Sequence, residues 1–316
     1  MVTERAWLGL VCCLVSCSSE TLSLGNGLRS LQDAAADAAS EPADGARDAA
    51  PDGSPDSGSA GVFSPPLANP MLSNAESKDD DPSLTRDLTL LYFNSRREGG
   101  AGREDVWYAR RDDASAAWQA PIPQVELNTD ARETGIALSS DGLTIWFSSD
   151  REGGSGGLDV YVAERSDRSA AFSAPQRAVS LCSSGDDLVS AVDESQQTLY
   201  LARRSDEDDD YDLFVARRVS RDASFSEPTA VASLNSDDEE SDAFPIERGA
   251  RLLFTRDGDL YVATRASGAD EYVSPEPIAS LNSDQDDRDA WASDDFRYVV
   301  FSSDRTGSYL LYEASR

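Results

Sequence analysis

The sequence contains no histidine and only one lysine, and these absences restrict the chemistry that the protein can perform. Without histidine, a Ser-His-Asp triad, a Cys-His dyad and histidine-ligated zinc or haem are all excluded. Cations are scarce as well: 28 Lys and Arg face 59 Asp and Glu over 316 residues, which gives a formal net charge of -31. This charge opposes binding to DNA, RNA or anionic lipid, and it favours the attraction of basic partners.

Cysteine is also rare, and the amino terminus that holds three of the four cysteines has the pattern of a secretion signal. The apolar run at residues 6–15 is too short to span a membrane but suits a signal peptide. Residues 14–17 (LVSC) resemble the bacterial lipobox, which implies cleavage after residues 1–16 and lipidation of Cys17. Ser18 in place of aspartate favours the outer membrane, by analogy with lipoproteins. An ordinary secretory signal is the alternative.

Residues 17–60 are expected to form the lipidated cysteine and a disordered acidic tether. No Val, Ile, Leu, Met, Phe, Trp or Tyr occurs from residue 32 to residue 61. A segment without apolar side chains buries too little surface to offset its ordering entropy. A flexible coil of this length spans about 36 Å, so the tether would hold the folded part away from the membrane.

The remaining residues, 61–316, contain five repeats of a strand-rich unit. Each repeat includes a short apolar run rich in β-branched and aromatic residues, which is typical of a strand. The ends of successive runs are 54, 54, 53 and 47 residues apart, a spacing typical of propeller blades. The runs end at Phe93, Phe147, Leu201, Phe254 and Phe301.

The repeats are offset by one strand relative to the chain ends. After each apolar run come a second strand and then an aromatic–proline element that introduces a further strand, but the fifth repeat stops at Arg316 before that last strand. Residues 63–67 (FSPPL) carry the missing pattern ahead of the first repeat. Pairing of this segment with the last blade would close a ring and remove two free sheet edges. The sequence therefore predicts an all-β fold, a five-bladed β-propeller of four-stranded blades closed by an amino-terminal strand.

Residues 139–165 (SSDGLTIWFSSDREGGSGGLDVYVAER) resemble the TolB-like, WD-like (PD-type) propeller repeat of bacterial envelope proteins. The shared features are an S-x-D-G turn, an apolar strand, S-S-D-R, a Gly-rich loop and D-[IV]-Y. Residues 302–305 keep Ser-Ser-Asp-Arg, whereas residues 94–97 depart from it and residues 202–205 and 255–258 depart further. The resemblance implies the propeller fold but no particular activity, because such folds host many functions.

Five acidic residues recur fourteen positions before the end of each apolar run. With the strands of a blade labelled a to d from the axis outward, these acids precede strand a and are expected to ring the mouth of the central channel. A second acid lies three positions earlier in four repeats, on the same face. The alternative is that a consensus acid makes turn and strand-entry hydrogen bonds. The recurrent acids are Asp79, Glu133, Asp187, Glu240 and Asp287, and the secondary acids are Glu76, Asp130, Asp237 and Asp284.

Three functions follow as hypotheses. The repeats are regular, and no repeat carries a catalytic group of residues that the others lack. This favours a non-enzymatic, membrane-tethered envelope protein that binds a protein partner, preferably a basic one, through the acidic channel-mouth face. Neither a cofactor nor a nucleic acid is expected. A glycan-binding or glycoside-hydrolysing propeller would use two or three channel-mouth carboxylates. A Ca²⁺-stabilised structural module would use carboxylate and carbonyl oxygens, although no segment matches a known calcium loop and we assign no metal ligands.

Two smaller predictions concern single residue types. Cys182 stands where other repeats have asparagine, and a lone thiol without a histidine to activate it is expected to be a packed residue, not a nucleophile. Four aromatic residues lie in predicted strands and are expected between blades: Tyr92, Trp107, Trp146 and Tyr200.

Overall fold

The structure, a computed structural model, describes residues 62–206 and 209–316. The predicted signal peptide, the lipidation of Cys17 and the tether lie outside the described residues and stay predictions. The described chain forms five antiparallel sheets of four strands each, and neighbouring sheets pack in a ring. The prediction of a five-bladed β-propeller is confirmed. Within the described part of the chain, no helix is long and apolar enough to cross a membrane.

Twenty strands build the five blades, and chain order runs outward from the axis in the first four blades. Two single turns of 3-10 helix, Val179–Leu181 and Glu247–Gly249, interrupt the connections. In chain order the strands are β1 (Leu67–Ala68), β2 (Asp79–Leu84), β3 (Leu90–Ser95), β4 (Asp105–Arg110), β5 (Ile122–Pro123), β6 (Glu133–Leu138), β7 (Thr144–Ser149), β8 (Asp159–Glu164), β9 (Gln176–Arg177), β10 (Asp186–Val192), β11 (Thr198–Arg204), β12 (Asp212–Arg217), β13 (Thr229–Ala230), β14 (Glu240–Ile246), β15 (Arg251–Arg256), β16 (Asp259–Thr264), β17 (Val273–Pro277), β18 (Asp287–Ala292), β19 (Tyr298–Ser303) and β20 (Leu310–Ser315).

The hydrophobic core lies between blades. All six residues of β3 and of β7 are buried, because each sheet is covered on both faces by its neighbours. Each of the four predicted between-blade aromatics belongs to a cluster that spans two blades, so that prediction is confirmed. Tyr92 packs with the second blade, Trp146 with the third, Tyr200 with the fourth and Trp107 with the fifth.

The amino-terminal strand closes the ring as the sequence predicts. The fifth sheet has the order β1-β20-β19-β18, with Leu67 opposite Glu313 in an antiparallel ladder. Just before β1, the Phe63 ring packs edge-on against Phe296 with 5.1 Å between ring centroids, and it is 5 % exposed. The closure therefore combines backbone pairing with burial of an aromatic side chain.

A β-bulge interrupts the innermost strand of every blade. In four blades a residue at the bulge has positive φ: Asp81 (53°), Gly135 (58°), Asp242 (57°) and Asp289 (56°). Glycine and aspartate tolerate this left-handed conformation better than most residues do. Bulges redirect side chains, and these bulges lie on the strands that surround the central axis.

Candidate functional site

The five recurrent acids lie at the starts of the innermost strands, and their side chains are enclosed by protein. Four of them are the first residue of their strand, and Asp187 is the second residue of β10. All five are 0 % exposed. Burial of a carboxylate without compensation is costly, so each one requires a partner.

Each recurrent acid forms an ion pair with an arginine of the second strand of its blade or of the loop that follows. In the second blade, Nη2 of Arg151 lies 3.0 Å from Oε1 of Glu133 and also donates to the Leu127 carbonyl. The same guanidinium stacks over the rings of Phe147 and Tyr161. The other pairs are Arg97–Asp79 (2.6 Å), Arg203–Asp187 (2.5 Å), Arg256–Glu240 (2.8 Å) and Arg305–Asp287.

Two different sequence arrangements produce this ion pair. In the second blade Ser149 stands opposite Glu133 in the ladder, and the arginine follows two residues later at position 151. In the third blade Arg203 itself stands opposite Asp187. The repeats that depart furthest from Ser-Asp-Arg thus keep the interaction by moving the arginine into the serine position. The first arrangement recurs at Ser95 with Arg97 and at Ser303 with Arg305, and the second recurs at Arg256.

These contacts favour arginine over lysine at the five paired positions. A planar guanidinium can pair with a carboxylate, donate to a carbonyl and stack on an aromatic ring at the same time, whereas an ammonium group cannot. The recurrent acids therefore fix the start of each innermost strand. This favours the alternative interpretation, in which a consensus acid has a structural role at strand entry. Carboxylates enclosed in this way do not present open charge to a partner. The exposed negative charge of this face includes the secondary acids Glu76, Asp130, Asp237 and Asp284.

A second group of acids, which was not predicted from the sequence, converges inside the channel. Asp81, Asp242 and Asp289 come from the first, fourth and fifth blades, and one carboxylate oxygen of each lies within 4.8 Å of the others. We call these residues the axial aspartates. Each lies two residues after a recurrent acid, at the bulge of its innermost strand.

The axial aspartates repel one another. Burial, together with the neighbouring charges of Asp242 and Asp80, raises the pKa of Asp81 to about 7. Burial and the same kind of repulsion raise the pKa of Asp289 well above its usual range. Burial likewise raises the pKa of Asp80, although Arg288 opposes this shift. The group is therefore unfavourable when all of its carboxylates are ionised and uncompensated.

A signal for the axial aspartates is present in the sequence. Aspartate occurs two positions after the recurrent acid in three of the five repeats, within DDD, ESD and DRD. The other two repeats have Gly135 and Val189 at that position. What the sequence does not reveal is the bulge, which places the three side chains on the axis in neighbouring blades.

A wide cavity opens on the axis at the opposite face, where the innermost strands end. It has a volume of 530 Å³. Apolar residues near the ends of all five innermost strands form its wall, and the turns that follow supply a polar rim with the ion pair Arg86–Glu194. We call this cavity the axial funnel, and its apolar wall includes Leu84, Leu138, Val192, Phe244 and Trp291.

A second cavity of 420 Å³ adjoins the funnel and is lined by the third and fourth blades alone. It shares Arg248 and Arg265 with the funnel and adds Arg217. Among residues 62–206 and 209–316, no carboxylate lies within ion-pair distance of these three guanidinium groups. We call this cavity the arginine groove. Three arginines and one carboxylate, Asp270, line this cavity, so it is locally positive on a strongly acidic protein. It was not predicted from the sequence.

Cys182 is half-buried and its thiol points toward the carbonyl oxygens of Val160 and Ala178. Burial raises the pKa of this thiol to about 12. The thiolate is therefore scarce near neutral pH, and the residue lacks the activation that a nucleophile needs. Other repeats have asparagine at this position. The Asn128 side chain, for example, accepts a hydrogen bond from the Val106 N–H and donates one to the Val106 carbonyl.

Comparisons with known proteins find structural neighbours at low sequence identity. No family model matches the sequence, and no curated protein does. A putative TolB from Agrobacterium tumefaciens is 15% identical, with 71% of this chain and 69% of that chain covered at a TM-score of 0.46. The catalytic domain of the Coprinopsis cinerea GH62 α-L-arabinofuranosidase is 12% identical, with coverage of 80% and 96% and a TM-score of 0.47. An α-L-arabinofuranosidase from Lactobacillus brevis is 13% identical, with coverage of 79% and 92% and a TM-score of 0.45.

Likeness at these identities and TM-scores assigns neither a family nor an activity to this chain. The chain is a five-bladed β-propeller whose structural neighbours include TolB-like propellers as well as glycoside hydrolases.

Proposed function

We propose that this protein is a non-enzymatic propeller of the bacterial cell envelope that binds a protein partner. The observation that carries the proposal is the axial funnel, a 530 Å³ cavity with an apolar wall to which all five blades contribute. Concave apolar surfaces with a few convergent polar groups are typical of binding sites. The funnel is favoured over the acidic channel-mouth face because the five recurrent acids of that face are enclosed and paired.

The chemistry of the funnel defines the partner segment that it would accept. Phe244, which is partly exposed, offers aromatic surface, and such surface contributes strongly to binding when it is desolvated. The arginine groove beside it offers guanidinium groups without ionic partners, which suit carboxylates. The preferred partner segment therefore carries an apolar anchor for the funnel and acidic side chains, or a terminal carboxylate, for the groove.

Cross-linking of intact envelopes tests this proposal. Wild-type protein should recover a protein partner, and the double variant Arg248→Glu/Arg265→Glu should lose it because the groove then repels the acidic segment. Arg297→Glu is the matched control, since Arg297 is exposed and does not line either cavity. If both variants recover the partner equally well, the funnel does not take part in the interaction. If the protein retains a glycan and no protein partner, the proposal as a whole is refuted.

A basic partner on the acidic face is the second candidate. The exposed acids Glu76, Asp130, Asp237 and Asp284 favour it, because uncompensated surface charge steers oppositely charged proteins. Neutralising these four acids should slow association with a basic partner and weaken its salt dependence. An unchanged association rate would exclude this face.

Glycoside hydrolysis is a less favourable function for this geometry. Retaining enzymes hold their two carboxyl groups about 5–5.5 Å apart, and inverting enzymes about 6.5–9.5 Å apart. Both arrangements require carboxyl groups that reach the substrate, whereas the five recurrent channel-mouth acids are each 0% exposed and paired with an arginine. We therefore expect no release of reducing sugars over a panel of polysaccharides, and measurable release would overturn the non-enzymatic assignment.

Attachment to the outer membrane through Cys17 is part of the proposal. A lipid anchor with two or more acyl chains gives stable membrane binding. Cys17→Ser should move the protein from the membrane fraction to the soluble fraction of the envelope. A variant that stays membrane-bound would argue against lipidation at this residue.

A further inference from the structure

The axial aspartates form a site that the proposed partner binding does not use. They lie on the innermost strands of three neighbouring blades, and their carboxylate oxygens converge within 4.8 Å inside the channel. None of the three lines the axial funnel, whose wall takes Leu84 from the end of β2 whereas Asp81 lies in the bulge of that strand. The two sites are therefore distinct.

One carboxylate oxygen of the group has no hydrogen-bond partner although it is fully buried. This atom is Oδ2 of Asp289, a side chain that is 8% exposed. Nε of Arg288 lies 3.4 Å away but makes no hydrogen bond with it. Oδ1 of Asp80, outside the group, is also buried and has Nη2 of Arg288 at 3.3 Å as its ion-pair partner. Buried polar atoms are normally satisfied, so Oδ2 of Asp289 keeps a free lone pair for a ligand in the channel.

The charges of the described residues around the site do not balance. Asp80 and the three axial aspartates supply four carboxylates, whereas Arg288 is the cation placed among them. Arg132 also approaches Asp81, but its guanidinium is bonded to Glu104 at 2.6 Å. Repulsion among buried carboxylates is relieved by a bound cation or by protonation.

The second blade holds one ligand in position. Thr134 Oγ1 and the Gly135 backbone N–H donate to Oδ2 of Asp81 at 2.9 and 2.7 Å, which fixes the orientation of this carboxylate. Ser241 Oγ similarly donates to Oδ2 of Asp242 at 2.7 Å. Donors that fix the outer oxygen of a carboxylate are typical of the shell behind metal ligands.

We propose that Asp81, Asp242 and Asp289 bind a Ca²⁺ ion on the propeller axis. The donors are all carboxylate oxygens, which suit a hard cation. Ca²⁺ binds oxygen at about 2.3–2.6 Å and accepts irregular geometry, whereas Mg²⁺ requires about 2.0–2.1 Å and near-octahedral ligands. Oxygens spread over as much as 4.8 Å fit the larger ion. An ion shared by three blades would link them across the axis.

Thermal unfolding of the full chain with Ca²⁺ or with a chelator tests this site. Ca²⁺ at about a hundredfold excess over its Kd should raise the Tm by about 5 °C or more, because it binds the folded state alone. Equilibrium dialysis with radioactive Ca²⁺ should give one tightly bound ion per chain.

Two variants separate the site from general attraction of cations to an acidic protein. Asp242→Asn/Asp289→Asn should abolish the Tm response, and in chelator it should melt at or above the wild-type temperature because the repulsion is relieved. Asp237→Asn/Asp284→Asn removes two exposed acids and should keep the full response. The proposal is overturned if wild-type protein does not respond to Ca²⁺, or if the axial variant responds as the wild type does.

Discussion

Replacing Arg151 with methionine should destabilise the propeller far more than replacing an exposed arginine. Methionine keeps much of the packing over Phe147 and Tyr161 but removes the charge that neutralises Glu133. The Glu133 side chain is 0% exposed and that of Arg151 only 15%, so the lost partner cannot be replaced readily by water. Breaking a buried pair in this way costs about 3–5 kcal/mol, which is a large fraction of the stability of a typical domain.

Urea unfolding followed by circular dichroism measures this effect, with Arg103→Met as the matched control. The Arg103 side chain is 67% exposed and pairs with Asp150 at the surface. A surface pair contributes about 0–1 kcal/mol, so the control should unfold close to the wild-type midpoint. If Arg151→Met unfolds at the same midpoint as Arg103→Met, the buried acid–arginine pair does not stabilise the fold. The structural role of the recurrent acids is then refuted.

A second variant tests whether the two arrangements of the ion pair are equivalent. Ser149→Arg/Arg151→Ser gives the second blade the arrangement of the third blade, where Arg203 stands opposite Asp187. The double variant should recover most of the stability that Arg151→Met loses. A double variant as unstable as Arg151→Met would show that each blade accepts only its own arrangement.

Three further predictions follow from the packing. Phe63→Ala should cost about 3–5 kcal/mol in urea unfolding because it removes a buried aromatic from the ring closure, whereas Leu67→Ala, at a residue 73% exposed, should have little effect. Gly135→Ala should also destabilise the fold, since a Cβ there would lie 2.7 Å from a Leu188 methyl group in a backbone with φ of 58°. In the folded protein with the other cysteines replaced, Cys182 should react with a thiol reagent at pH 8 about ten-thousandfold more slowly than a fully ionised thiolate, because its pKa is about 12; rapid labelling would contradict its packed environment.

The architecture was predictable because it is encoded by repetition. Each blade gives the same strand pattern, and the displaced segment at residues 63–67 revealed how the ring closes. The position of the recurrent acids was predictable for the same reason. Their burial was not, because a charged residue at a strand entry is usually solvated, and its arginine appears at two different sequence offsets.

The two cavities and the axial aspartates were harder to predict for a different reason. The wall of the funnel takes one or two residues from each blade, such as Leu84 and Trp291, and these look like ordinary core residues in their own repeats. The convergence of Asp81 with Asp242 and Asp289 depends on bulges, which shift side chains without a clear sequence signature.

Site-specific photo-cross-linking in intact cells tests most directly whether the funnel binds the partner. A photoreactive residue at Ser195 would report on the rim of the funnel, one at Asp130 on the acidic face, and one at Ile122 on the outer edge of the first blade; all three positions are exposed. We predict a discrete cross-linked protein from position 195 and none from position 122. A partner captured only from position 130, or equally from all three positions, would contradict the assignment of partner binding to the axial funnel.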